Sequence, residues 1–384
     1  MVRHAAPTPK RILFASIDSN WAGAQTQMFE LAAGLDRAEF EPVVLTTGRG
    51  GLVDRCRTAG LRTHVLPYHF TRRSFPFLDY YIAGPVAIRA LLHREHIDLV
   101  HTHCPNSAMP IMNAARGLRL PLVAHFHDLD QRWATPRSLR VLNRDNAVVV
   151  TISDAAANDA ASRGVPRERM RRIYNGVHLA PIEPRDRSRL RRELGISEGE
   201  IAIGLVGRLV RRKGGADLIR ALADERVREL PVRAFLVGGD ERSESDFPLE
   251  LRRLTSSLGL DGRVIFSGAR DDAAQLPVAF DLVVMPSRRE AFGRAAVEAM
   301  HAGTPLVVYR EAALPELVRD DTEGVVVEPQ DAIGLARAIA RLAREPRLRE
   351  RLGNAGRARA RAFGHERFVA DVTSLYRELL GITR

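Results

Sequence analysis

The stretch DLVVMPSRREAFGRAAVEAMHAGTPLVVYR, residues 281–310, contains one complete strand–helix–strand unit. DLVVMPS, at 281–287, is a short apolar run that predicts a buried strand, and a loop follows it. FGRAAVEAMHAG has helical periodicity, and Gly303 ends the helix shortly before Pro305. PLVVYR, at 305–310, predicts the next buried strand. Because continuous aliphatic strands that alternate with helices are typical of parallel sheets, this stretch predicts a βαβ unit.

The same alternation runs through almost the whole chain and is interrupted once, by the proline-rich, charged segment LAPIEPRDRSR at 179–189. We therefore predict an α/β protein with two doubly wound Rossmann-like domains. Their parallel sheets would face a central cleft, with ligand at the carboxyl ends of the strands. The other strand-like runs are RILFAS (11–16), EPVVLTT (41–47), THVLP (63–67), DLVH (98–101), LVAHF (122–126), AVVVTIS (147–153), IAIGLVG (201–207), VRAFLVGG (232–239), RVIFSG (263–268) and EGVVVEP (323–329).

A chain of 384 residues suits two domains. The N-terminal domain is predicted to span residues 1–182 and the C-terminal domain residues 190–365. Residues 366–384 carry an apolar stripe at helical spacing, which predicts an amphipathic helix in need of a partner surface. We expect this helix to pack back toward the N-terminal domain rather than to bind a membrane.

The composition, 45% hydrophobic and 27% charged, is that of a folded soluble protein. No apolar run approaches the ~20 residues of a membrane span, and MVRHAAPTPKR lacks the apolar core of a signal peptide. The two cysteines, Cys56 and Cys104, have neither a disulfide nor a metal-ligand spacing, as in a reducing compartment. We expect a cytoplasmic protein.

The net charge of +11 is concentrated in residues 1–190, which carry +9. A basic N-terminal half suits an anionic acceptor or the inner face of a membrane, or else it is the solvated surface of an arginine-rich chain. The segment LPYHFTRRSFPFLDYY (66–81) is the candidate for such contact, and the alternative is a variable loop that packs on the next helix. Since no basic block with interleaved aromatic residues occurs, we exclude nucleic acid.

The segment GLVGRLVRRKGGADLI, residues 204–219, places Arg208 and Lys213 between a predicted strand and the next helix. Arginine can bind two phosphate oxygens at once and lysine adds a point charge, so the pair predicts a diphosphate clamp. The alternative is a solvated basic loop. Lys213 is one of only two lysines among 58 basic residues. The motif is neither a Walker loop nor GxGxxG, which argues against a nicotinamide-dependent dehydrogenase.

Glu290 and Glu298 lie eight positions apart, the first in the loop before the helix and the second inside it. On one helix such carboxylates would be ~12 Å apart and rotated by ~80°, whereas glycosidase pairs are roughly 5–9.5 Å apart and face each other. The spacing favours two ends of one long ligand, with a hexose at Glu290 and a ribose at Glu298. The helix N-terminus at Phe292, Gly293 and Arg294 would offer N–H groups to phosphates between them. The alternative for Glu298 is a solvated helix carboxylate.

EAFGRAAVE resembles the E-x7-E motif of family 4 retaining glycosyltransferases of the GT-B fold, and GRLVRRKG resembles their phosphate-binding segment. Further stretches follow in the order of that family: WAGAQ, DLVHTH, AHFHD, VVTISD, RRIYNGVH and VIFSGARDD. The resemblance covers roughly residues 11–370. It implies that a sugar is transferred from a nucleotide-diphosphate donor, usually UDP, with retention of the anomeric configuration.

The resemblance also implies roles for the donor-site residues. Arg208 and Lys213 would neutralise the leaving diphosphate, Glu290 would contact the sugar hydroxyls and Glu298 would bind the ribose. Main-chain groups of the Phe-Gly turn would hold sugar and diphosphate. The implied reaction is a front-face displacement in which the leaving diphosphate helps to deprotonate an acceptor hydroxyl. No cofactor or metal would be required beyond the nucleotide sugar.

The resemblance also implies positions in the site for three further residues. Gly23 lies in the loop that approaches the donor phosphate, although the usual paired glycines are replaced here by AGA at 22–24. His127 matches the family histidine near the reacting end of the sugar, and its alternative role is structural. Arg270 lies in the strand-end region of the donor base. None of these residues identifies the donor sugar, its base or the acceptor.

His101, His103 and His125 alternate on strand-like segments and would allow a metal cluster, but packing at strand ends explains them, so we predict no metal site. An alternative function is a nucleotide-sugar epimerase of the same architecture, which would act without an acceptor. A second alternative is a non-catalytic protein that binds sugar nucleotides. A phosphorylase would require a pyridoxal-phosphate lysine, and the chain has only Lys10 and Lys213.

Overall fold

The computed structural model divides the chain into two units. The N-terminal unit comprises Met1–Gly176 and His365–Arg384, and the C-terminal unit comprises Val177–Gly364. The residues that the structure describes are 8–16, 23–66, 83–103, 111, 113–115, 118–129, 142, 146–183, 185–239 and 244–382.

The N-terminal unit is built on a seven-stranded parallel sheet in the order β3-β2-β1-β4-β5-β6-β7. Most residues of its inner strands are buried on both faces, which explains their continuous aliphatic sequences. The strands are β1 Lys10–Ser16, β2 Phe40–Thr46, β3 Arg62–Val65, β4 Leu99–Thr102, β5 Leu122–Phe126, β6 Ala147–Thr151 and β7 Met170–Arg172, and the helices between them are α1 Gly23–Gly34, α2 Gly51–Thr58, α3 Gly84–Arg94 and α4 Asp154–Ser162.

The C-terminal unit is built on a six-stranded parallel sheet in the order β10-β9-β8-β11-β12-β13. Its strands are β8 Ile201–Val206, β9 Val232–Val237, β10 Val264–Gly268, β11 Leu282–Met285, β12 Leu306–Tyr309 and β13 Gly324–Val327, and its helices are α5 Asp186–Glu193, α6 Gly215–Ala223, α7 Glu225–Arg228, α8 Phe247–Ser257, α9 Arg294–Ala302, α10 Leu314–Leu317, α11 Ala332–Arg344 and α12 Pro346–Ala360.

The last helix, α13 His365–Leu380, belongs to the N-terminal unit. Its apolar stripe, which includes Phe368 and Tyr376, lies in the same core cluster as β1 and α1. Arg377 adds a double hydrogen bond to the carboxylate of Glu39, at 2.6 and 2.5 Å. The N-terminal core is therefore completed by the end of the chain.

Two all-parallel sheets with helical connections confirm the prediction of two doubly wound α/β units. Helix α5 begins at Asp186, inside the segment 179–189 that was predicted to be a linker. Strand β7 was not predicted, because its sequence MRR is polar and lies at the exposed edge of the sheet, where no apolar pattern is needed. Among the described residues, no helix is both long and apolar enough to cross a bilayer.

Candidate active site

In the C-terminal unit the strand order reverses between β8 and β11, which are hydrogen-bonded neighbours. The loop after β8 carries Arg208 and Lys213, and the loop after β11 carries Glu290. Doubly wound sheets bind ligands at such a reversal, at the carboxyl ends of the strands. The topology therefore brings a lysine and a glutamate that are 77 residues apart to one edge of one sheet.

The two loops approach each other closely. Lys213 ends a 3₁₀ turn, and Gly214 follows with φ +72° and opens α6. A Cβ on Gly214 would lie 2.1 Å from the carbonyl oxygen of Pro286, so only glycine fits there. The backbone N–H of Arg288 donates to the carbonyl of Arg212 at 2.7 Å. Backbone contacts thus fix the distance between the basic loop and the Glu290 loop.

Glu290 lies in a cationic pocket. Its Oε2 contacts the Lys213 ammonium and lies 3.9 Å from the Arg212 guanidinium. The side chains of Lys213 and Glu290 are only 15% and 13% exposed. Burial alone would raise the pKa of Glu290, but the charges of Lys213, Arg212 and Arg208, with the Lys213 hydrogen bond, outweigh it and lower this pKa. The carboxylate is therefore ionised and can accept hydrogen bonds from hydroxyl groups.

A partly buried cluster contacts the Glu290 loop, and we call Asp217, Arg288 and Tyr309 the Asp217 cluster. The Oδ2 of Asp217 accepts hydrogen bonds from the Tyr309 hydroxyl at 3.1 Å and from the Arg288 guanidinium at 3.3 Å. Burial, followed by the Asp217 charge, raises the pKa of Tyr309 far above its usual value, so this hydroxyl stays protonated and donates. These residues were not singled out in the sequence. The only available signal was a tyrosine at the end of an aliphatic strand.

The Phe-Gly turn packs directly on Glu290 at the start of α9. Gly293 has φ +105°, and a Cβ there would lie 3.2 Å from Leu314 and 3.5 Å from Glu290 Cγ. The Phe292 side chain is buried, with its ring edge-on to Phe363 at 6.0 Å. Because the Phe292 ring is buried, it is not available to a ligand, and the main-chain role of this turn stays a prediction.

Helix α9 begins at Arg294, so Glu290 precedes the helix and Glu298 lies in its second turn, as predicted. Arg294 and Glu298 are both half-buried. The ribose contact of Glu298 stays a prediction. Arg270 follows β10, and its guanidinium makes two 2.8 Å hydrogen bonds to Asp272. Its predicted contact with the donor base also stays a prediction. Such a contact would either keep the two hydrogen bonds to Asp272 or replace them.

Gly23 and His127 belong to the N-terminal unit. Gly23 is the first residue of α1 and is exposed, and a Cβ there would meet nothing within 4 Å. Space alone therefore does not require glycine at this position, and the preceding residues 17–22 lie outside the described part of the chain. His127 directly follows β5 at the carboxyl edge of the sheet.

Four imidazoles line adjacent strands of the N-terminal sheet, and we call His101, His103, His125 and His127 the histidine array. Two hydrogen bonds cross between the strands, from His101 Nε2 to His125 Nδ1 at 3.2 Å and from His103 Nδ1 to His127 Nε2 at 3.0 Å. The two pairs stack on each other, with centroid distances of 4.3 Å along one strand and 4.2 Å along the other. The strand register therefore converts two HxH motifs into one ordered array.

The array is enclosed by aromatic side chains. Phe14 stacks on His101, Phe368 lies beside His125, and the Tyr376 hydroxyl is 2.5 Å from His101 Nδ1. Burial lowers the pKa of all four histidines, to about 3 for His127, where Asn175 acts weakly in the opposite direction. The imidazoles are therefore neutral at pH 7.

His101, His103 and His125 have ring nitrogens within 4.8 Å of one another, the spacing that would suit a metal ion. A neutral imidazole has one donor and one acceptor nitrogen. His101 uses both, one toward Tyr376 and one toward His125. A metal ion would have to displace one of these bonds, so hydrogen-bonded packing explains the cluster better.

Two family models cover most of the chain. Residues 186–359 match the model described as Glycosyl transferases group 1, and residues 21–180 match Glycosyltransferase Family 4. D-inositol 3-phosphate glycosyltransferase of Thermobifida fusca is 32% identical over 311 residues, which cover 74% of this chain and 71% of the relative. N-acetyl-alpha-D-glucosaminyl L-malate synthase of Bacillus anthracis is 25% identical over 315 residues, or 80% and 81% of the two chains.

The crystal structure of Anabaena Alr3699/HepE in complex with UDP is similar over 96% of this chain and 100% of that chain, with a TM-score of 0.84 and 26% identity. Sucrose-phosphate synthase from Thermosynechococcus elongatus, with a TM-score of 0.77 and 24% identity, shares the fold. The GT-B fold predicted from sequence is thereby confirmed. Because both halves match family models and the Thermobifida fusca relative extends over most of both chains, the protein belongs to the group 1, family 4 glycosyltransferases.

Proposed function

We propose that the protein transfers a hexose from a UDP-sugar to a hydroxyl acceptor, with retention of the anomeric configuration and without a metal ion. The observation that carries this proposal is the ionised, lysine-paired Glu290 at the reversal of the C-terminal sheet. The choice of UDP is supported by HepE, whose structures contain UDP and UDP-glucose.

The pocket suits the charges of the reaction. The Lys213 ammonium has three N–H groups and gives one of them to Glu290, which leaves two that can turn toward phosphate oxygens. Arg208 and Arg212 add to the positive charge around Glu290. These cations would stabilise the diphosphate as it leaves, and its oxygen would take the proton of the acceptor hydroxyl on the same face of the sugar. Retention follows because the new bond forms on the face that the diphosphate leaves.

The same cations support metal independence. A divalent ion in a phosphoryl or glycosyl site supplies positive charge to the leaving oxygens. Here Lys213, Arg208 and Arg212 supply it from the chain itself, with Glu290 holding Lys213 in place. Chelation of divalent ions is therefore expected to leave turnover unchanged.

For the acceptor, we propose a small anionic molecule with a free hydroxyl. Two relatives are named for such acceptors, D-inositol 3-phosphate and L-malate. The charge of +9 on residues 1–190 would favour an anion on this side. Contact with a membrane through residues 66–81 stays a prediction, because residues 67–81 lie outside the described part of the chain.

The decisive experiment compares UDP-, GDP- and ADP-sugars in a thermal-shift assay and then measures donor hydrolysis without acceptor. We expect a UDP-sugar to raise the melting temperature and to be hydrolysed slowly to the retained anomer. Lys213→Ala should lower kcat by about 10²-fold or more, as for the loss of one preorganised charge donor. No stabilisation by any nucleotide sugar would contradict the proposal.

Lys10→Ala is the matched control, because Lys10 is the only other lysine of the chain and pairs with Asp98 at the amino end of the interior strand β1. Its substitution removes the same chemical group and should leave kcat unchanged. Near-normal turnover by Lys213→Ala, with a folded protein, would remove Lys213 from the proposed clamp.

A further inference from the structure

The histidine array has a direction, because each imidazole carries one donor and one acceptor nitrogen. His127 Nε2 is hydrogen-bonded to His103 Nδ1 at 3.0 Å. On the other side of the ring, Nδ1 is buried and has no partner within hydrogen-bonding geometry among the described residues. Which of the two nitrogens carries the proton depends on what faces Nδ1.

Asn175 faces His127 from the end of the N-terminal unit's first segment. Its side chain is 6% exposed, and its Oδ1 likewise has no donor among the described residues. Asn175 nevertheless acts on His127 as a hydrogen-bond partner that raises its pKa, which an oxygen acceptor facing an imidazole N–H does. Asn175 Oδ1 and His127 Nδ1 are both buried and unpartnered among the described residues, and they suit each other as acceptor and donor.

The two arrangements of protons differ in cost. With the proton on His127 Nδ1, this N–H faces the Asn175 oxygen, Nε2 accepts from His103 Nδ1–H, and only the lone pair of His103 Nε2 is left over. With the proton on His127 Nε2, two acceptors face each other at Asn175, and His103 Nε2 becomes a buried N–H with no described acceptor. Buried N–H groups without a partner are rarer and more costly than buried lone pairs.

We propose that His103 and Asn175 are positioning residues that hold His127 as the neutral Nδ1–H tautomer. The pair His101–His125 stacks on the pair His103–His127 and is tied to Tyr376, which keeps all four ring planes in place.

The catalytic consequence rests on the proposed function. Glycosyl transfer develops positive charge at the reacting carbon of the sugar. If His127 lies near that carbon, a neutral ring adds no repulsive charge, whereas an imidazolium would. Burial, which lowers the pKa of His127 to about 3, acts in the same direction.

The test is long-range ¹H–¹⁵N NMR of protein labelled with ¹⁵N-histidine, with the His127 signals assigned by their loss in His127→Gln. At neutral pH, wild-type His127 should show a protonated Nδ1 and a bare Nε2. His103→Phe should produce a mixture of tautomers, and His103→Gln, which restores an N–H donor, should recover the wild-type signals. His125→Phe is the matched control, since His125 stacks on His127 at 4.2 Å but is not hydrogen-bonded to it. The His127 signals of this variant should be the same as in the wild type.

Asn175 supplies a second pair of variants, which tests the tautomer of His127 if His103→Phe does not fold. Asn175→Asp keeps an oxygen acceptor and should keep the Nδ1–H tautomer, whereas Asn175→Ala should lose it. A wild-type Nε2–H tautomer would overturn the proposal. So would unchanged signals in His103→Phe, or in Asn175→Ala, or equal shifts in His103→Phe and His125→Phe.

Kinetics separates this proposal from the proposed function. If the protein uses a nucleotide sugar, His103→Phe should lower kcat by about 10- to 100-fold, by analogy with the loss of a partner that orients a metal-bound histidine, with a smaller change in the KM of the donor. If no nucleotide sugar is turned over, the proposed function fails while the NMR result still decides the tautomer.

Discussion

At Asp217 two hydrogen-bond donors converge on one carboxylate oxygen, and this convergence orders the pocket around Glu290. Tyr309 donates from the end of β12 and Arg288 from the Glu290 loop. Asp217 itself lies in the first turn of α6, directly after Lys213 and Gly214. One carboxylate therefore couples the basic loop, the Glu290 loop and the sheet.

We expect Tyr309→Phe to weaken the donor pocket while preserving the packing of the ring. It removes one buried hydrogen bond, which costs about 1 kcal/mol of the free energy of unfolding, and it leaves Arg288 less firmly held. The KM of the donor should rise more than kcat falls, because the cations are still present but less well placed. Urea unfolding and initial-rate kinetics measure the two effects.

Arg220→Ala is the control for this variant. Arg220 also contacts Asp217, at 3.2 Å on the other oxygen, but it is 55% exposed and holds no part of the Glu290 loop. Exposed ion pairs contribute little, so stability and KM should stay near wild type. If both variants raised the KM equally, the charge of Asp217 rather than the position of Arg288 would be responsible.

At the scale of elements, the start of α9 depends on one glycine. Gly293 has φ +105° and packs against Leu314 of α10 and the side chain of Glu290. The main-chain carbonyl of Glu290 accepts from the N–H of Ala313 at 3.1 Å. Helix, turn and carboxylate are therefore held as one piece, which places the N–H groups of the α9 N-terminus beside the cationic pocket.

Gly293→Ala should disturb the arrangement of the α9 N-terminus, the Phe-Gly turn and Glu290. A non-glycine residue at positive φ costs roughly 1–2 kcal/mol, and the new Cβ would also press on Leu314 at 3.2 Å. We expect a lower free energy of unfolding together with a loss of donor affinity, measured by urea unfolding and by thermal shift with UDP. Gly60→Ala is the control, since Gly60 has φ +69° but open space around it. Equal effects of the two substitutions on UDP binding would contradict a role for the turn.

For the whole molecule, the histidine array, which consists of buried His101, His103 and His125 and half-buried His127, makes stability depend on pH. An unfolded histidine has a pKa of about 6.5, whereas burial lowers the folded values, to about 3 for His127. Between these values the unfolded chain binds protons that the folded chain does not. The stabilisation is therefore fully present above pH 6.5 and is lost as the pH falls toward 3.

We expect the N-terminal unit to unfold first in mild acid. His127 alone should lower the free energy of unfolding by about 2 kcal/mol between pH 7 and pH 5, and the other three add to this. The C-terminal unit has only His178, exposed, and His301, half-buried, so its transition should move less. Calorimetry at pH 7 and pH 5 measures both transitions, and the same N-terminal transition at both pH values would contradict the prediction.

The structural features that could be predicted from the sequence are those that depend on contiguous residues. Aliphatic runs alternating with helical periods predicted both parallel sheets, because a strand buried on both faces needs no polar positions. The basic loop and the Glu290 loop could be placed at strand ends for the same reason. The polar edge strand β7 could not be predicted, because a strand at an exposed edge does not need a continuous apolar sequence.

Contacts between distant segments were decided by the fold alone. Lys213 meets Glu290, and Asp217 meets Tyr309, because the strand order places β8 and β12 on either side of β11. The register of β4 against β5 likewise turned two HxH motifs into hydrogen-bonded pairs, which a shift of one residue would have sent to opposite faces. The hydrophobic pattern of a segment indicates which of its residues are buried. Strand pairing and register determine which residues of other segments they contact.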